Sequence, residues 1–357
     1  MSLRFTDRPR AVVLRVPLAA RAEASGRVPM RSALTCVALL ALTVIVIYFA
    51  LSLGTLTYSP GEVLRALLGT GTAQQELFVV GWRLPRALAA AVFGAMLGVS
   101  GALFQAVTRN PLGSPDIIGF TAGSSAASVA VIVLIGSGFY LVASGALVGG
   151  VAVGVLVMLL SRGGGVAGFR LVIAGLALNA MLVSVETWLV LNADFDVAQT
   201  ATLWGAGSLN GADFEFTAAP MVLGGLVMLV TVLALGQRLD MLGMGDDAGA
   251  ALGATPARTR RYAVAAGVVL IALVTAAAGP IAFVALAAPH VGRRLAGVPG
   301  VGLLPAGAAG AFLLSSADLA AQHAIPGNSY PVGVVTVVCG GLYLMTLLVS
   351  ENRRAAL

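Results

Sequence analysis

The sequence predicts an all-α integral membrane protein with about ten transmembrane helices. Hydrophobic residues make up 59% of the 357 residues and charged residues only 10%, whereas a soluble domain is about one quarter charged. The mean hydropathy of +0.97 points the same way. A helical span uses roughly 20 residues, so the chain has room for about ten spans. This composition excludes a water-soluble globule, a disordered chain and a disulfide-stabilised scaffold.

Ten apolar segments define a predicted membrane domain over residues 33–350. An arginine-rich tail (1–32) precedes this domain, and a short tail (351–357) follows it. The first segment has the length of a span and lacks a small-residue cleavage site, so we interpret it as an uncleaved anchor. The predicted spans are 33–53, 85–107, 117–137, 141–161, 170–192, 216–236, 261–279, 280–296, 303–320 and 331–349.

The arginines predict the orientation of these spans. With ten spans both termini lie on the same side, and eighteen of the 21 arginines then fall on that side. Only Arg65, Arg83 and Arg86 fall on the other side. Because positively charged loops stay in the cytoplasm, both tails are predicted to be cytoplasmic. This placement also argues against nucleic acid as a partner, despite the formal net charge of +6.

The connections between spans are uneven. Two long outer segments, 54–84 and 193–215, carry turn signals and are expected to hold short surface helices, and 237–260 is the long inner loop. Two stretches of poor helix formers, 110–115 and 279–280, fall at membrane depth or its edge. Irregular backbone there is tolerated where protein buries it or water wets it, so a pathway through the protein is expected.

Several motifs, in matching order, resemble the FecCD-type permeases, which are membrane subunits of binding-protein-dependent ABC importers for iron-siderophores, haem and cobalamin. The resemblance runs from about residue 35 to the C-terminus. Within the family, the chain is most similar to one membrane subunit of ferric-enterobactin importers. The motifs are RLPR (83–86), GALFQ (101–105), NPLGSPD (110–116), WGAGSLNG (204–211), MGDD (244–247), GPIAFV (279–284), APH (288–290) with Arg293 and Arg294, PVGVVT (331–336) and SENRR (350–354).

The resemblance implies a type II ABC importer permease in the bacterial inner membrane. The expected partners are a second, non-identical permease, two ATPase subunits and an extracytoplasmic binding protein that delivers a ferric siderophore. Two alternatives stay open. One is a homodimeric relative that carries haem or cobalamin, and the other is a secondary transporter that uses Glu186 as a proton relay. An enzyme is not expected, because no polar catalytic constellation is visible.

Arg83 and Arg86 are the candidate docking residues on the outer side. They lie one helical turn apart and flank Pro85 at the start of the second span. Two outward cations offer a docking point for carboxylates, although anchoring at lipid headgroups is an alternative. In the family, glutamates of the binding protein meet such arginines. Some relatives carry a further arginine where this chain has Gln322, followed by His323. Gln322 is included in the predicted docking set, and the alternative is that the partner subunit supplies part of the pattern.

The resemblance assigns an inner gate to the turn Asn110-Pro111-Leu112 and to Gly168-Phe169 at the start of the fifth span. A tight connector is the alternative for the second pair. Glu186 is an acid inside the fifth span. Intramembrane carboxylates are costly and often functional, so it is grouped with the translocation pathway, while its role and whether it faces the vestibule stay open. Asp318 is expected to bond locally.

The inner loop is the candidate contact for the ATPase. Residues 242–253 are predicted to form two short helical pieces that meet at glycine, with acidic residues at a helix start. An ordinary solvated hairpin is the alternative. The three arginines that follow, at 258, 260 and 261, are expected to contact lipid phosphates. The coupling residues are Met244, Gly245, Asp246, Asp247, Ala248, Leu252 and Gly253.

Cofactors are not expected on this chain. No phosphate-binding loop is present, so ATP and Mg²⁺ are assigned to the partner ATPase. No group of His, Cys and carboxylate residues has metal-ligand spacing, so iron is expected to cross as its chelate. Cys36 and Cys339 both fall in apolar runs and predict no disulfide. His290, one turn before Arg293, is expected to cap or pack rather than to bind a ligand.

Overall fold

The computed structural model describes residues 11–18, 22–116, 118–160, 167–324 and 329–355. Within these ranges the protein is helical apart from one antiparallel hairpin, which joins β1 and β2 ahead of the first helix. The strands are β1 (Ala11–Leu18) and β2 (Ala22–Pro29). The helices are α1 (Met30–Ser52), α2 (Pro60–Leu67), α3 (Ala73–Glu76), α4 (Leu84–Thr108), α5 (Phe120–Leu134), α6 (Phe139–Leu160), α7 (Ala167–Leu191), α8 (Phe195–Gly205), α9 (Phe214–Gly243), α10 (Asp246–Ala251), α11 (Pro256–Ala278), α12 (Val284–Ala296), α13 (Leu303–His323) and α14 (Val332–Ala355).

Each of the ten predicted spans contains one helix. In the described residues, seven helices are long and apolar enough to cross a membrane. The exceptions are α5, α12 and α14. At 1.5 Å per residue, the 15 residues of α5 and the 13 residues of α12 reach only about 20 Å, which is less than the hydrocarbon core of roughly 30 Å. Helix α14 has the length of a span, with 24 residues, but its side chains are described without a gap only over Val332–Tyr343.

The core of the protein is built around α4, which packs against α11, α12 and α13. Its apolar window is 78% buried, whereas the window in α7 is only 11% buried. Glycine permits the closest approaches. A Cβ added at Gly94 would lie 2.8 Å from the carbonyl carbon of Gly310 on α13, and one added at Gly101 would lie 2.6 Å from the carbonyl carbon of Ala285 on α12. Small residues at these crossings therefore fix the distances between helices.

The long connections hold the expected short helices, with two corrections. On one side, α2 and α3 lie in the predicted outer segment, but a π-helical turn (Leu77–Arg83) joins α3 to α4, so the helix runs continuously over Ala73–Thr108. On the other side, the prediction of two helical pieces within 242–253 was wrong. The first piece is the end of α9, and only α10 is a separate short helix. The reason is that α9 continues to Gly243, and the first break in the chain comes only at Gly245 (φ 114°), while Gly253 (φ 90°) follows α10.

The helices bring the charged connections to opposite ends of the bundle. The ends of α4, α9 and α12 and the starts of α10 and α11 meet at one end, where Arg109, Arg260 and Arg293 lie. At the other end, Arg83 and Arg86 lie beside the ends of α1 and α13. We call these the inner end and the outer end, after the arginine distribution along the sequence.

Candidate translocation and coupling sites

At the outer end, Arg86 forms a buried ion pair with Asp318. Its guanidinium donates to the carboxylate through Nε at 3.0 and 3.2 Å and through Nη2 at 2.8 Å. The side chain of Asp318 is 2% exposed and that of Arg86 14%. Gln322, one turn further along α13, donates from Nε2 to Asp318 Oδ2 at 2.7 Å. The charge of Arg86 is therefore neutralised inside the protein, between α4 and α13.

Arg83 is held differently. Its guanidinium donates to the carbonyl oxygens of Leu51 at 2.8 Å and Leu56 at 2.7 Å, and so ties the end of α1 to the start of α4. Its Cζ lies 5.3 Å from the centroid of the Tyr58 ring, within cation–π range. In the part of the chain that the structure describes, no carboxylate is recorded as an ion-pair partner of Arg83. Its positive charge is therefore not cancelled locally.

All three predicted docking residues line one outer cavity of about 420 Å³. The two arginines are not equivalent, because Arg86 is neutralised by a carboxylate whereas Arg83 donates to backbone carbonyl oxygens and keeps its charge. Asp318 does bond to Gln322, as expected locally, but its ion-pair partner lies 232 residues away in the sequence. Docking of a partner at this cavity stays a prediction. The cavity is lined by Ala50, Gly81, Trp82, Arg83, Arg86, Ala87, Gly211, Ala212, Asp213 and Gln322.

At the inner end, α4 ends in a tight turn at residues 109–113. Arg109 adopts the left-handed conformation (φ 52°), which is unusual for a residue with a side chain. The carboxamide of Asn110 accepts the backbone N–H of Leu112 at 2.9 Å, and the ring nitrogen Nε2 of His290 lies 2.8 Å from the carbonyl oxygen of Pro111. The turn is therefore fixed internally and to α12, while the Leu112 side chain is 47% exposed. The capping or packing role of His290 stays a prediction.

Two further polar links join α4 and its following turn to α12. Gln105 accepts from Arg293 Nη2 at 2.6 Å and donates to the carbonyl oxygen of Leu286 at 3.1 Å. Asp116 accepts the backbone N–H of Phe283 at 3.3 Å, and Phe283 is the second described non-glycine residue with positive φ. Sequence reasoning assigned no role to these residues. One feature of the sequence pointed to them: the motifs 101–105, 110–116 and 279–284 all lie at or next to the two stretches of predicted irregular backbone.

The predicted coupling segment begins with a charged cluster around Asp246, the first residue of α10. Its Oδ1 accepts from Arg260 Nη2 at 2.6 Å and also from Arg109 Nη2. Burial by itself raises the pKa of Asp246, but the hydrogen bonds and positive charges of Arg260 and Arg109 outweigh it and hold the pKa below its usual range. The carboxylate is therefore charged at neutral pH. Arg260 is thus engaged within the protein rather than free for lipid phosphates.

The other predicted coupling residues surround this cluster. Met244 and Leu252 are large apolar residues that are 62% and 55% exposed. Gly245 and Gly253 flank the helix, and Asp247 and Ala248 lie in its exposed first turn. Next to this surface, an inner cavity of about 890 Å³ is lined by residues that include Arg109, Asn110, Pro111, Met244 and Arg293. The structure therefore places the predicted inner turn and the predicted coupling segment side by side.

Glu186 does not lie on the open side of α7. Its Oε1 accepts from the hydroxyl of Ser125 on α5 at 3.0 Å, and a Cβ added at Gly205 on α8 would lie 3.6 Å from the same oxygen. Glu186 therefore contacts α5 and lies close to α8, and its place in the translocation pathway stays a prediction. The open side of α7 instead presents Ile173, Leu176, Met181, Val183, Ser184, Val185, Thr187, Trp188 and Leu191.

Gly168 and Phe169 fall in the first turn of α7, but their side chains lie outside the described residues, so their predicted gate role is not addressed. Among the residues whose side chains the structure describes, no group of three or more His, Cys, Asp or Glu residues could hold a metal ion.

Comparison with known proteins identifies the family. A model described as the FecCD transport family matches residues 42–350. The chain belongs to the FecCD transport family. This confirms the resemblance carried by the sequence motifs. The match begins within α1, so the β1–β2 hairpin lies outside it.

Individual members of the FecCD family are similar over nearly their whole length. The ferric enterobactin transport system permease protein FepG of Escherichia coli K12 is 44% identical over 329 residues, covering 92% of this chain and 99% of that protein. FepD, another permease protein of the ferric enterobactin transport system in that organism, is 34% identical and covers 93% and 100%. The iron(3+)-hydroxamate import system permease protein FhuG of Bacillus subtilis 168 is 34% identical and covers 87% and 95%.

A solved structure agrees with this assignment. It is described as a metal-chelate type ABC transporter in an inward-facing conformation, and it superposes with a TM-score of 0.78 at 26% identity. The alignment covers 89% of this chain and 99% of the solved chain. The helical architecture is therefore that of an ABC transporter membrane subunit, and the chain is a multi-pass membrane protein.

Proposed function

We propose that this chain is one of two non-identical membrane subunits of an ABC importer that carries a ferric catecholate siderophore into the cytoplasm. The observation that carries the proposal is the 44% identity to FepG over almost the whole of both chains. Identity to FepD is ten percentage points lower over a similar length. This difference favours the role of FepG for this chain, with a FepD-like protein as the second permease.

The proposed topology has ten spans in the bacterial inner membrane, with both termini in the cytoplasm. The ten helices at the predicted positions support the count. The short helices α5 and α12 then lie at membrane depth within the protein, where neighbouring helices satisfy the backbone at their ends. The orientation rests on the arginine distribution, since eighteen of 21 arginines fall on the side of the N-terminus.

The proposed pathway runs between the two permease subunits along α7. Only 11% of the apolar window of α7 is buried within this chain, so most of its surface is available to a second subunit and to the path. The hydroxyls of Ser184 and Thr187 on its open side donate to their own helix at 2.8 Å. The path is therefore weakly polar, which suits passage of an intact chelate because strong ligands would slow its release.

The remaining components are assigned to partners. ATP and Mg²⁺ belong to two separate ATPase subunits, which contact α10 and the exposed Met244 and Leu252 beside it. This chain itself requires no cofactor. An extracytoplasmic binding protein docks at the outer cavity. There Arg83 provides the uncancelled positive charge, because Arg86 is neutralised by Asp318.

Reconstituted uptake tests the proposed function. The chain is co-reconstituted in liposomes with its second permease and ATPase, and the binding protein is added outside. We expect ATP-dependent uptake of ⁵⁵Fe-enterobactin that a protonophore does not abolish, and at least tenfold less uptake of ferric hydroxamates, haem and cobalamin. Preference for haem or cobalamin would overturn the substrate assignment. Uptake that is driven by a proton gradient without ATP would overturn the transporter class.

A further inference from the structure

A cluster of one carboxylate and two arginines at the inner end joins four helices. Asp246 Oδ1, at the start of α10, accepts from Arg260 on α11 at 2.6 Å and from Arg109 at the end of α4. The same Nη2 of Arg109 also donates to the carbonyl oxygen of Leu242, in the last turn of α9, at 3.2 Å. Helices α9, α10 and α11 follow one another in the chain, so only α4 is distant in the sequence, since Arg109 and Asp246 are 137 residues apart.

Stability alone does not explain this cluster. The side chains of Arg109 and Asp246 are 48% and 42% exposed, and ion pairs at that level of exposure add little to folding free energy. Arg109 also adopts a left-handed backbone conformation (φ 52°), which glycine would accept at lower cost. An arginine at such a helix end is therefore best explained by what its side chain holds.

Arg109 connects the cluster around Asp246 to the inner turn. The next three residues form the inner turn, in which the Asn110 side chain holds the Leu112 backbone and the Pro111 carbonyl is bonded to His290 on α12. The turn is thus held together by its own hydrogen bond and follows Arg109 directly in the chain. On the other side, α10 carries the exposed surface offered to the ATPase. A coupling element needs a contact whose equilibrium both ends influence, and Asp246 lies between the two.

We propose that Asp246 is the positioning residue that transmits movement of α10 to the inner turn at Asn110–Leu112, through Arg109, with Arg260 holding the carboxylate in place. The inference rests on the proposed function, because it assigns the ATPase to α10. It names the internal connection by which nucleotide-driven movement reaches the inner end of the path. Asp246 touches neither nucleotide nor chelate.

The transport test measures ATP hydrolysed per ⁵⁵Fe-enterobactin imported by the reconstituted complex. Asp246→Asn is expected to raise this ratio at least fivefold, because uptake falls more steeply than the ATP hydrolysis stimulated by the binding protein. Asp246→Glu keeps the charge on an exposed side chain and is expected to restore most of the coupling. A ratio for Asp246→Asn within twofold of the wild type would overturn the proposal.

Two arginine variants test the Asp246–Arg109 connection between α10 and the inner turn, which we call the tether. Arg109→Gly suits the left-handed backbone, so we expect unchanged or greater thermal stability together with a raised ratio. Arg260→Gln is expected to raise the ratio less, because Arg109 still reaches the carboxylate. Arg258→Gln is the matched control, since Arg258 also lies at the start of α11, is exposed, and has no recorded ion pair among the described residues. A ratio raised equally by the Arg258 variant would overturn the proposal.

A second measurement does not depend on transport. In nanodiscs, spin labels at Leu112→Cys and Ala250→Cys, with Cys36 and Cys339 replaced by serine, report the distance between the inner turn and α10. We expect a narrow distribution for the otherwise unchanged chain and at least a twofold broader one with Asp246→Asn. Equal widths would overturn the tether. If the wild-type complex fails to import enterobactin, the proposed function falls, and this distance measurement still decides the tether.

Discussion

Replacing Asp318 by asparagine removes the charge that neutralises Arg86 in the protein interior. The carboxylate is 2% exposed, and it accepts three close contacts from the guanidinium and one from Gln322. Breaking a buried ion pair by removing one partner costs about 3–5 kcal/mol, because the other charge stays buried without compensation. We therefore expect Asp318→Asn to lower the folding equilibrium constant by roughly two to four powers of ten.

Equilibrium unfolding of the purified chain in mixed micelles, titrated with a denaturing detergent, measures this change. Gln322→Ala removes one hydrogen bond to a charged group and is expected to cost about 1.5–3 kcal/mol. The double variant Arg86→Met with Asp318→Leu removes both charges and is expected to recover most of the loss. With the single variants Arg86→Met and Asp318→Leu, this double variant completes a cycle that isolates the pair from the packing of each residue.

The outcome also separates stability from docking. If Asp318→Asn costs less than about 1 kcal/mol, the ion pair behaves like a solvent-exposed one, and the remaining charge of Arg86 is not buried as argued here from the exposed fractions. A double variant as unstable as Asp318→Asn would equally refute the reasoning. By the same argument, Arg86→Glu places two carboxylates together and is expected to impair assembly, so loss of uptake in that variant would not identify a docking residue.

Further variants test the two ends of the path. Arg83→Gln is expected to weaken association with the binding protein at least fivefold at low salt, and this difference should fade above about 0.5 M salt. Leu112→Trp is expected to reduce uptake more than tenfold without changing that association, because it enlarges an exposed side chain at the inner turn. Glu186→Gln keeps an acceptor for the serine hydroxyl of α5, so uptake should stay within twofold of the wild type. Coupling through Asp246 should not change between pH 8 and 5: its pKa is lowered below the usual Asp value of about 4, so the charged form, present above that value, is lost only as pH falls further.

Each of these expectations has a contradicting result. Arg65 is the matched control for Arg83, because it is also an outer arginine, and an equal effect of Arg65→Gln would show general charge attraction. Normal uptake through Leu112→Trp would remove that residue from the path. Loss of transport in Glu186→Gln, with ATP hydrolysis still stimulated by the binding protein, would give the carboxylate an active role. A coupling ratio that rises between pH 7 and 5 would show that a group other than Asp246 controls the tether.

The helices were predictable from sequence because their signals are local. An apolar run long enough to span a membrane identifies itself within its own residues, and proline and glycine mark the ends. Pro60, Pro85 and Pro256 fall in first helical turns, and Gly279 and Gly297 follow last ones. The segment 242–253 was divided wrongly because α9 continues to Gly243, and apolar periodicity does not show where a long helix stops.

The candidate sites were predictable as positions but not as contacts. The sequence by itself placed Arg83, Arg86 and Gln322 at one end and the inner turn with α10 at the other, because loop position follows from counting spans. It determined the membrane class, the helix order and the family.

Which charges are free was decided by tertiary structure alone. Arg86 meets Asp318 and Arg109 meets Asp246 across 232 and 137 residues, and Glu186 turns toward α5. The physical reason is that hydropathy is a property of a segment, whereas an ion pair depends on how two helices rotate and cross, and only close packing at residues such as Gly94 and Gly101 sets that geometry.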